Sequence, residues 1–505
     1  MKGLLLAMLA ATPVVAEPVF TNRTDALPLT HIYSGGWEHF VGGGVAVFDC
    51  NGDARPDILA AGGTEPARLF VNETPAPGAA LSFRLGGTFD TGTTGAYPLD
   101  LRGDGRIDLI LLRVGPNKIL KGDGACGFTD ATDEFGLVAG DAWTTAFSAT
   151  WEAGRALPTM AFGNYVDRTD PEGPFGTCAD NELHRPEDGR YGPPKQLKPG
   201  YCALSMLISD WQRSGYPELR ISNDRHYYLT DGHEEMWRLD PLGPRGEADG
   251  WEKVSLWGMG IASGDVDRNG WPDVMLTSMG DQLLQLNEGG QLTSAPYERG
   301  ATAHRPHTGD DGRPSTGWHA EFGDVDNDGR LDIFIAKGNV DQMPSNALAD
   351  PNNLLIQGAD GRFRETAQNA GVASTERSRG AALVDLDGDG LLDLVVVNRR
   401  APMELWQNAS KDTGHWIAVS LYQEGPNRDA VGAWVEVRTK AGVQARELTV
   451  GGGHAGGQLG ALHFGLGPEA QADLRVIWPD GVATPWQTMP AGDTVRITRP
   501  ADARE

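Results

Sequence analysis

Oxygen-bearing side chains recur at fixed spacing in this 505-residue chain. DVDRNGWPD at 265–273, DVDNDGRLD at 324–332 and DLDGDGLLD at 385–393 place Asp or Asn at positions 1, 3 and 5, Gly at 6 and Asp at 9. Ca2+ prefers hard oxygen donors, and Gly lets the backbone turn sharply around the ion. These runs predict Ca2+ loops. The predicted ligands are Asp265, Asp267, Asn269, Asp273, Asp324, Asp326, Asp328, Asp332, Asp385, Asp387, Asp389 and Asp393.

Two further copies are less regular. DCNGDARPD at 49–57 and DLRGDGRID at 100–108 predict ligands too, but Arg102 stands where the other copies have Asp or Asn, so it can neutralise its neighbours. Ca2+ occupancy at 100–108 stays open, and the eroded copy at 210–218 is predicted to have lost the ion. The alternative for every copy is an Asx-rich turn without an ion. The predicted ligands are Asp49, Asn51, Asp53, Asp57, Asp100, Asp104 and Asp108.

The elements that position these loops are short β-like runs. IASGD precedes and VMLTS follows the copy at 265, and a third and often a fourth run follow in most units. Units start near 49, 100, 148, 210, 265, 324 and 385. Four strands in each of seven units predict an all-β fold with a seven-bladed β-propeller over 17–408. The fragment PVFTNRTDALPL at 18 is expected to complete the last sheet, whereas an open β-solenoid is the alternative.

The repeats stop after residue 408, and alternating strands continue over residues 412–499. They predict a small β-sandwich-like C-terminal domain. GGGHAG at 451–456 satisfies G-x-G-x-x-G, but no helix or crossover unit follows it, so we interpret it as a glycine-rich turn rather than a nucleotide site.

Several motifs carry a family resemblance. The repeats resemble the FG-GAP/VCBS type, and NRDAVGAWVEVR, GGGHAGG, HFGLG and VIWPDG, between 427 and 481, resemble the ASPIC/UnbV domain. Their order is similar to that in bacterial relatives of cartilage acidic protein. The resemblance implies a secreted, calcium-binding propeller protein; related repeats in integrin α chains serve partner recognition. Arg102 and the units near 148 and 210 depart from the family pattern.

The composition and the N-terminal sequence restrict the partners and the cellular location of this protein. The net charge of −26 disfavours nucleic acid and anionic membrane surfaces as partners. Lys2, the apolar run from Leu4 to Ala11 and the small residues before residue 17 predict a signal peptide over 1–16, with a buried N-terminal helix as the alternative. No later run is long enough to cross a bilayer. We therefore expect export to the periplasm or the extracellular space, with no integral membrane segment.

The four cysteines fit an exported protein with two disulfides. Pairing Cys178 with Cys202 would pin the Pro/Gly-rich stretch at 166–202, leaving Cys50 for Cys126, although three connectivities are possible. We interpret 166–202 as an insertion that either covers one face or closes over the channel.

Polar residues beside the loops are candidate ligand contacts near the propeller axis. No zinc-protease, nucleophile-elbow or phosphate-loop motif is evident. The first hypothesis is a non-catalytic binding or scaffold protein for a protein or glycan. The alternatives are a periplasmic enzyme acting on a small molecule or saccharide in the channel, and calcium-dependent adhesion. The candidate ligand contacts are Asp224, His226, Tyr228, Trp318, His319 and Arg379.

Overall fold

The repeated nine-residue runs form the hairpin loops between neighbouring strands of four-stranded sheets. The computed structural model describes residues 17–170, 176–224, 231–302, 306–307, 312–341 and 343–500, so the predicted signal peptide lies outside the described residues. Only short helices interrupt the strands, including α1 (Thr132–Phe135) and α2 (Ala367–Ala370). The prediction of an all-β fold is confirmed.

Strands β1 to β28 precede the C-terminal segment. They are β1 (Phe20–Asn22), β2 (Val45–Phe48), β3 (Asp57–Ala60), β4 (Arg68–Asn72), β5 (Phe83–Thr88), β6 (Thr93–Leu99), β7 (Asp108–Arg113), β8 (Lys118–Gly122), β9 (Phe128–Asp130), β10 (Thr144–Thr150), β11 (Thr159–Asn164), β12 (Asn181–His184), β13 (Lys195–Leu197), β14 (Ala203–Ser209), β15 (Glu218–Asn223), β16 (Glu235–Arg238), β17 (Gly243–Pro244), β18 (Gly258–Gly264), β19 (Asp273–Ser278), β20 (Leu283–Glu288), β21 (Gln291–Ser294), β22 (Gly317–Gly323), β23 (Asp332–Lys337), β24 (Asn353–Gln357), β25 (Phe363–Glu365), β26 (Arg377–Val384), β27 (Asp393–Arg399) and β28 (Glu404–Asn408).

These strands form seven antiparallel sheets among the described residues. We number them by chain order: sheet I is β2–β5, II is β6–β9, III is β10–β13, IV is β14–β17, V is β18–β21, VI is β22–β25, and VII is β26–β28 with β1. The first strand of each sheet is almost wholly buried, whereas most fourth strands are largely exposed. Each sheet therefore runs from a buried inner strand to a solvated outer one.

The first strands touch one another in a closed ring. Each contacts the first strand of the next sheet, and β26 of sheet VII contacts β2 of sheet I. The N-terminal strand β1 pairs antiparallel with β28, with Phe20 opposite Asn408, as expected from the sequence. This pairing covers the outer edge of sheet VII, so the chain closes a propeller-like fold.

The C-terminal segment forms two more sheets, which we call the C-terminal module. One has the order β33-β29-β36 and the other β31-β30-β34-β35, and apolar residues from both, such as Ile417 and Val435, share one core. Strand β32 instead pairs parallel with β2 of sheet I. The strands are β29 (His415–Tyr422), β30 (Trp434–Thr439), β31 (Gly442–Glu447), β32 (Gln458–Leu459), β33 (Leu462–Gly467), β34 (Gln471–Ile477), β35 (Gln487–Pro490) and β36 (Asp493–Thr498).

Both disulfides have the pairing that the sequence favoured. Cys50 is bonded to Cys126 and links sheets I and II, and Cys178 is bonded to Cys202. The stretch at 166–202 is more than the insertion that we expected, because its strands β12 and β13 supply the outer half of sheet III. Its Pro/Gly content hid these two short strands.

Candidate metal sites and the filled centre of the ring

The hairpin loops of sheets V, VI and VII each gather three carboxylates. Within each group, the potential ligand oxygens lie within 4.8 Å of one another. The groups are Asp265, Asp267 and Asp273; Asp324, Asp326 and Asp332; and Asp385, Asp387 and Asp393. These are positions 1, 3 and 9 of the repeat, so the structure brings together nine of the predicted ligands.

The residues at position 5 have another partner. Each accepts a hydrogen bond from the main-chain N–H two residues later: Asn269 from Trp271, Asp328 from Arg330, and Asp389 from Leu391. These side chains therefore help to shape the turn, and Asp328 and Asp389 lie outside the three-carboxylate groups.

The clustered carboxyl groups are electrostatically costly. Burial, together with the charge of Asp273, raises the pKa of Asp265 to about 7, and burial raises the pKa of Asp273 to a similar value. Burial and the neighbouring carboxylates hold the pKa of Asp332 and Asp393 well above its ordinary range. A cation among these oxygens would remove the repulsion.

The donor set fits Ca2+. Every side-chain donor in the three groups is a carboxylate oxygen, which suits a hard cation. Two buried oxygens, Asp265 Oδ1 and Asp326 Oδ2, have no hydrogen-bond partner. Buried polar atoms are nearly always satisfied, so these two oxygens indicate a missing ligand. Asp265, Asp326 and their cluster partners can hold a metal ion.

Sheet II has the same loop but fills it with a guanidinium group. Arg102 forms ion pairs with Asp108 at 3.0 Å and with Asp104 at 2.9 Å, while Asp100 accepts the N–H groups of Asp104 and Gly105. Asp108 is fully buried. Arg102 therefore supplies the positive charge that a metal would bring, and this loop does not fit Ca2+.

In sheets III and IV the arginine comes from elsewhere in the same sheet. In sheet III, Arg185 donates to Glu152 at 2.8 Å. In sheet IV, Arg245 donates to Glu218 at 2.7 Å, and the Trp211 indole N–H donates to the second oxygen of Glu218 at 2.6 Å. In the hairpin loops of sheets II to IV, which we call loops II to IV, an arginine of the protein thus supplies the positive charge that Ca2+ would otherwise bring.

The hairpin loop of sheet I has neither a three-carboxylate group nor a buried arginine among its described residues. Asp49 accepts main-chain N–H groups from Gly52 and Ala54, and Asp53 pairs with Arg55 at 3.3 Å. Burial raises the pKa of Asp57 to about 7, and its oxygens accept the N–H groups of Cys50 and Asn72, as Asp273 accepts those of Val266 and Asn287 in loop V. Among the described residues, Asp49 and Asp53 do not join Asp57 in a three-carboxylate group.

Residues 450–457 of the C-terminal module, which we call the glycine loop, enter the ring of first strands and line part of a cavity between the module and the ring. It bonds to the first strands of successive sheets: Gly457 O to Val47 N, Ala455 O to Ala96 N, and Val450 O to Ala149 N. Gly452 N and Gly453 N donate to sheets IV and V, each at 2.7 Å. A segment bonded to inner strands around a closed ring lies inside that ring.

His454 attaches the glycine loop to sheets V and VI and to the segment that precedes β2. Its main-chain N–H donates to His319 Nδ1 at 3.1 Å, and its Nε2 accepts the N–H of Gly42 at 3.1 Å. Nδ1 therefore carries the ring proton and faces the carbonyl of Met259 at 3.3 Å. Burial lowers the pKa of His454 to about 3, so the imidazole is neutral.

The glycines are required because the strands approach too closely for a side chain. A Cβ at Gly456 would lie 2.1 Å from the carbonyl oxygen of Val45, and one at Gly457 would lie 2.6 Å from the ring of Tyr97. Gly453 also has a φ of +59°. The segment read from the sequence as a turn is a packed element of the core.

Three of the candidate ligand residues, Trp318, His319 and Arg379, lie beside the glycine loop. Trp318 is fully buried and contacts His454, and the Arg379 guanidinium stacks over the Trp318 ring at 4.0 Å. Asp224 is also buried, and accepts the hydroxyl of Tyr165 at 2.5 Å. Burial raises the pKa of Asp224 to about 7. The predicted residues His226 and Tyr228 lie outside the described residues.

The C-terminal module rests on the loop face of the ring. Next to loop VI, Gly467 N donates to Asn327 O at 2.8 Å and Gly414 N donates to Asp326 O at 2.9 Å. Next to loop IV, Glu447 accepts the main-chain N–H of Asp210 at 3.0 Å. Loop VI, one of the candidate metal loops, therefore forms part of the surface on which the module is seated.

Family models match both parts of this arrangement. The model described as FG-GAP-like repeat matches residues 265–335 and 324–396, and the model described as ASPIC and UnbV matches residues 423–504. The chain carries FG-GAP-like repeats and a C-terminal ASPIC/UnbV domain. The FG-GAP matches cover the three loops that gather carboxylates, and the glycine loop belongs to the ASPIC/UnbV domain.

Similar proteins span most of the chain. Cartilage acidic protein 1 of Mus musculus is 23% identical over 92% of this chain and 74% of its own length. The Homo sapiens protein of the same name is also 23% identical, over 92% and 73%. Among solved structures, BBS1N in complex with ARL6DN, soaked with lead, has a TM-score of 0.45 at 8% identity, covering 78% of this chain and 98% of that chain.

The sequence analysis did not identify the arginines that neutralise carboxylates far away along the chain. Arg185 and Arg245 lie 33 and 27 residues from the carboxylates that they neutralise, so no local motif announces them. The glycine loop did have a signal: five glycines within residues 451–457 exceed what a turn needs. Such a density indicates close backbone approach.

Replacing Arg102 by aspartate should turn loop II into a metal site. Arg102→Asp restores the acidic position 3 of FG-GAP loops V to VII, so we expect one more bound Ca2+ per molecule than in the wild type. In excess chelator the variant should be less stable than the wild type by about 3 kcal/mol, because a buried carboxylate loses its partner. Elemental analysis and melting curves with and without Ca2+ measure both effects.

Arg106→Asp is the matched control, since it makes the same charge change in the same loop at an exposed position. It should leave the ion count unchanged. An Arg102→Asp protein with the wild-type ion count, and with no extra response to Ca2+, would show that loop II cannot bind metal.

Proposed function

We propose that this protein is an exported, non-catalytic binding or scaffold protein whose partner is a protein or a glycan. The observation that carries the proposal is the glycine loop. A catalytic site that ran along the axis would need an open channel, and the ASPIC/UnbV domain crosses that axis with the main chain of the glycine loop and with His454. The repeat type and the similarity to cartilage acidic protein 1 agree with a binding role.

The architecture proposed with this function is a seven-bladed β-propeller over residues 17–408, followed by the β domain at 412–499. The seven sheets, the ring of first strands and the pairing of β1 with β28 support it. The blades would form a rigid body, and recognition would take place on its exposed loops or beside the seated domain.

Calcium has a structural role in this proposal. Loops V, VI and VII would each hold one Ca2+ through Asp residues at positions 1, 3 and 9, with main-chain oxygens completing the shell. An ion that binds only the folded loop stabilises the fold by linkage. In loop VI it would also support the seat of the ASPIC/UnbV domain, since Asp326 O accepts the Gly414 N–H.

Two disulfides support an oxidising compartment, in the periplasm or outside the cell. Among the described residues, none of the helices has the length and apolar character to span a bilayer. The alternative function, a periplasmic enzyme acting in the channel, is weakened by the burial of Trp318 and Arg379 under the glycine loop.

Capture from the native envelope tests the binding role. The immobilised full-length mature protein is incubated with solubilised envelope proteins and, separately, with released envelope glycans, each in Ca2+ and in excess chelator. We expect one species to be enriched over a heat-unfolded control, and to be released by the chelator. If both fractions yield nothing above that control, the binding function is wrong.

A further inference from the structure

Loops V and VI carry the same repeat sequence but differ in the burial of their clustered carboxylates. In loop VI all three are buried, since Asp324, Asp326 and Asp332 are at most 4% exposed. In loop V the carboxylate at position 3, Asp267, is exposed to solvent. An ion could therefore reach loop V directly from solvent, whereas the group in loop VI is covered.

The ASPIC/UnbV domain provides this cover through contacts at positions 3 and 4 of loop VI. The N–H group of Gly414 donates to Asp326 O at 2.9 Å, and that of Gly467 donates to Asn327 O at 2.8 Å. The side-chain oxygen of Asn327 lies 2.7 Å from the ring nitrogen Nε2 of His463. The domain is thus bonded to the stretch of main chain that follows the second carboxylate of the group.

Gly465 of β33 lies directly on a carboxylate of the same group. A Cβ at Gly465 would collide with Asp324 Oδ2, so only glycine lets the strand and the loop approach this closely. Loop V has no such contacts: among the described residues, no hydrogen bond joins residues 265–273 to the C-terminal module. The cover is therefore a feature of loop VI that loop V lacks.

The covered carboxylates have no bonded cation. Asp326 Oδ2 is buried and has no hydrogen-bond partner. Arg268 and Arg446 lie near Asp324 but form no ion pair with it among the described residues, and Arg330 pairs outside the three-carboxylate group. Burying carboxylates without a bound cation is costly, so the domain should close over this loop much more readily when an ion occupies it.

We propose that the ASPIC/UnbV domain and the Ca2+ of loop VI hold one another in place: the seated domain blocks the exchange of the ion with solvent, and the ion stabilises the seat of the domain. Linkage makes this coupling reciprocal, so a firmer seat also means tighter ion binding. The inference rests on the calcium sites of the proposed function and deepens their role, but it does not depend on the partner. Loop V, which exposes Asp267, should exchange its ion without movement of the domain.

The rates at which Ca2+ leaves the protein test the cover over loop VI. The full-length mature protein is loaded with Ca2+ and mixed with an excess of a fluorescent chelator, and release is followed by stopped flow. We expect the loop VI ion to leave at least about tenfold more slowly than the loop V ion, because the domain must first move away. Asp326→Asn should remove a slow phase, and Asp267→Asn, the same change at the same repeat position, should remove a fast one.

The slow phase should also become fast in Gly456→Ala. This substitution disturbs the seat of the domain at Val45 of β2 and alters no carboxylate. Slow release that depends on the carboxylates alone would stay slow in this variant.

Limited proteolysis tests the opposite direction of the coupling. In saturating Ca2+, Asp326→Asn should release the C-terminal domain about tenfold faster than the wild type, whereas Asp267→Asn should stay close to the wild-type rate. In excess chelator the wild type should reach or exceed the rate of Asp326→Asn. The two variants lose the same charge at the same repeat position, so only the position of the domain distinguishes them.

Three outcomes overturn the inference. Release of all Ca2+ from the wild type in one fast phase would show that the domain does not cover an ion, and this result needs no variant. A slow phase that persists in Gly456→Ala with a released domain would show that the seat does not control it. Equal protease sensitivity of Asp326→Asn and Asp267→Asn in Ca2+ would show that the seat does not depend on the loop VI ion. None of these results touches the proposed partner binding, which fails only if envelope capture yields nothing.

Discussion

Removal of Ca2+ should lower the melting temperature of this protein on the order of 10 °C. A site filled at a hundred times its Kd adds about 2.7 kcal/mol to the folded state, so three filled sites add about 8 kcal/mol. The reason lies in loops V to VII, where buried Asp273, Asp332 and Asp393 each face two further carboxylates and form no ion pair among the described residues, since Arg330 of loop VI pairs with Asp328. Melting curves in Ca2+, in excess chelator and after Ca2+ is restored measure the effect.

The matched controls are amide variants in a metal loop and in the arginine-filled loop. Asp326→Asn removes charge from the loop VI cluster and should reduce the response to Ca2+, whereas Asp104→Asn in loop II should leave the response at its wild-type size. An unchanged melt in excess chelator, with no metal found by elemental analysis, would remove Ca2+ from the interpretation.

The local part of this architecture could be predicted because local chemistry creates it. Asp385 accepts the N–H groups of Gly388, Asp389 and Gly390, so the nine-residue run closes its own turn wherever it occurs. Buried apolar strands flank each run, and their order along the chain leads directly to a ring of sheets. The N-terminal fragment was also recognisable, since it resembles the outer strands of the units.

The remainder depends on contacts between distant parts of the chain. Arg245 belongs to a strand region with no motif, yet it decides that loop IV is neutralised from within the protein. His454 and the glycines around it were interpreted as a turn because their partners, such as His319 and Val45, lie more than a hundred residues away. From the sequence we interpreted the propeller channel and the residues beside it as open to a ligand, because the segment that enters the channel lies far away from them along the chain.

A single methyl group in the glycine loop should be enough to unseat the ASPIC/UnbV domain. In Gly456→Ala the new Cβ would lie 2.1 Å from the carbonyl oxygen and 2.6 Å from the nitrogen of Val45, both main-chain atoms of an inner strand. Neither strand nor loop can move freely, since Gly457 O bonds Val47 N and Ala455 O bonds Ala96 N. We expect destabilisation by about 3 kcal/mol or more, measured by thermal and denaturant unfolding.

Gly460→Ala separates this clash from any general effect of replacing glycine. Gly460 lies four residues further along, has open space around its Cβ position and no positive φ, so its alanine variant should match the wild type or exceed it slightly in stability. Limited proteolysis should release the C-terminal domain from Gly456→Ala but not from Gly460→Ala. If the two variants unfold alike, the loop does not occupy the ring, and the axis is open to a ligand after all.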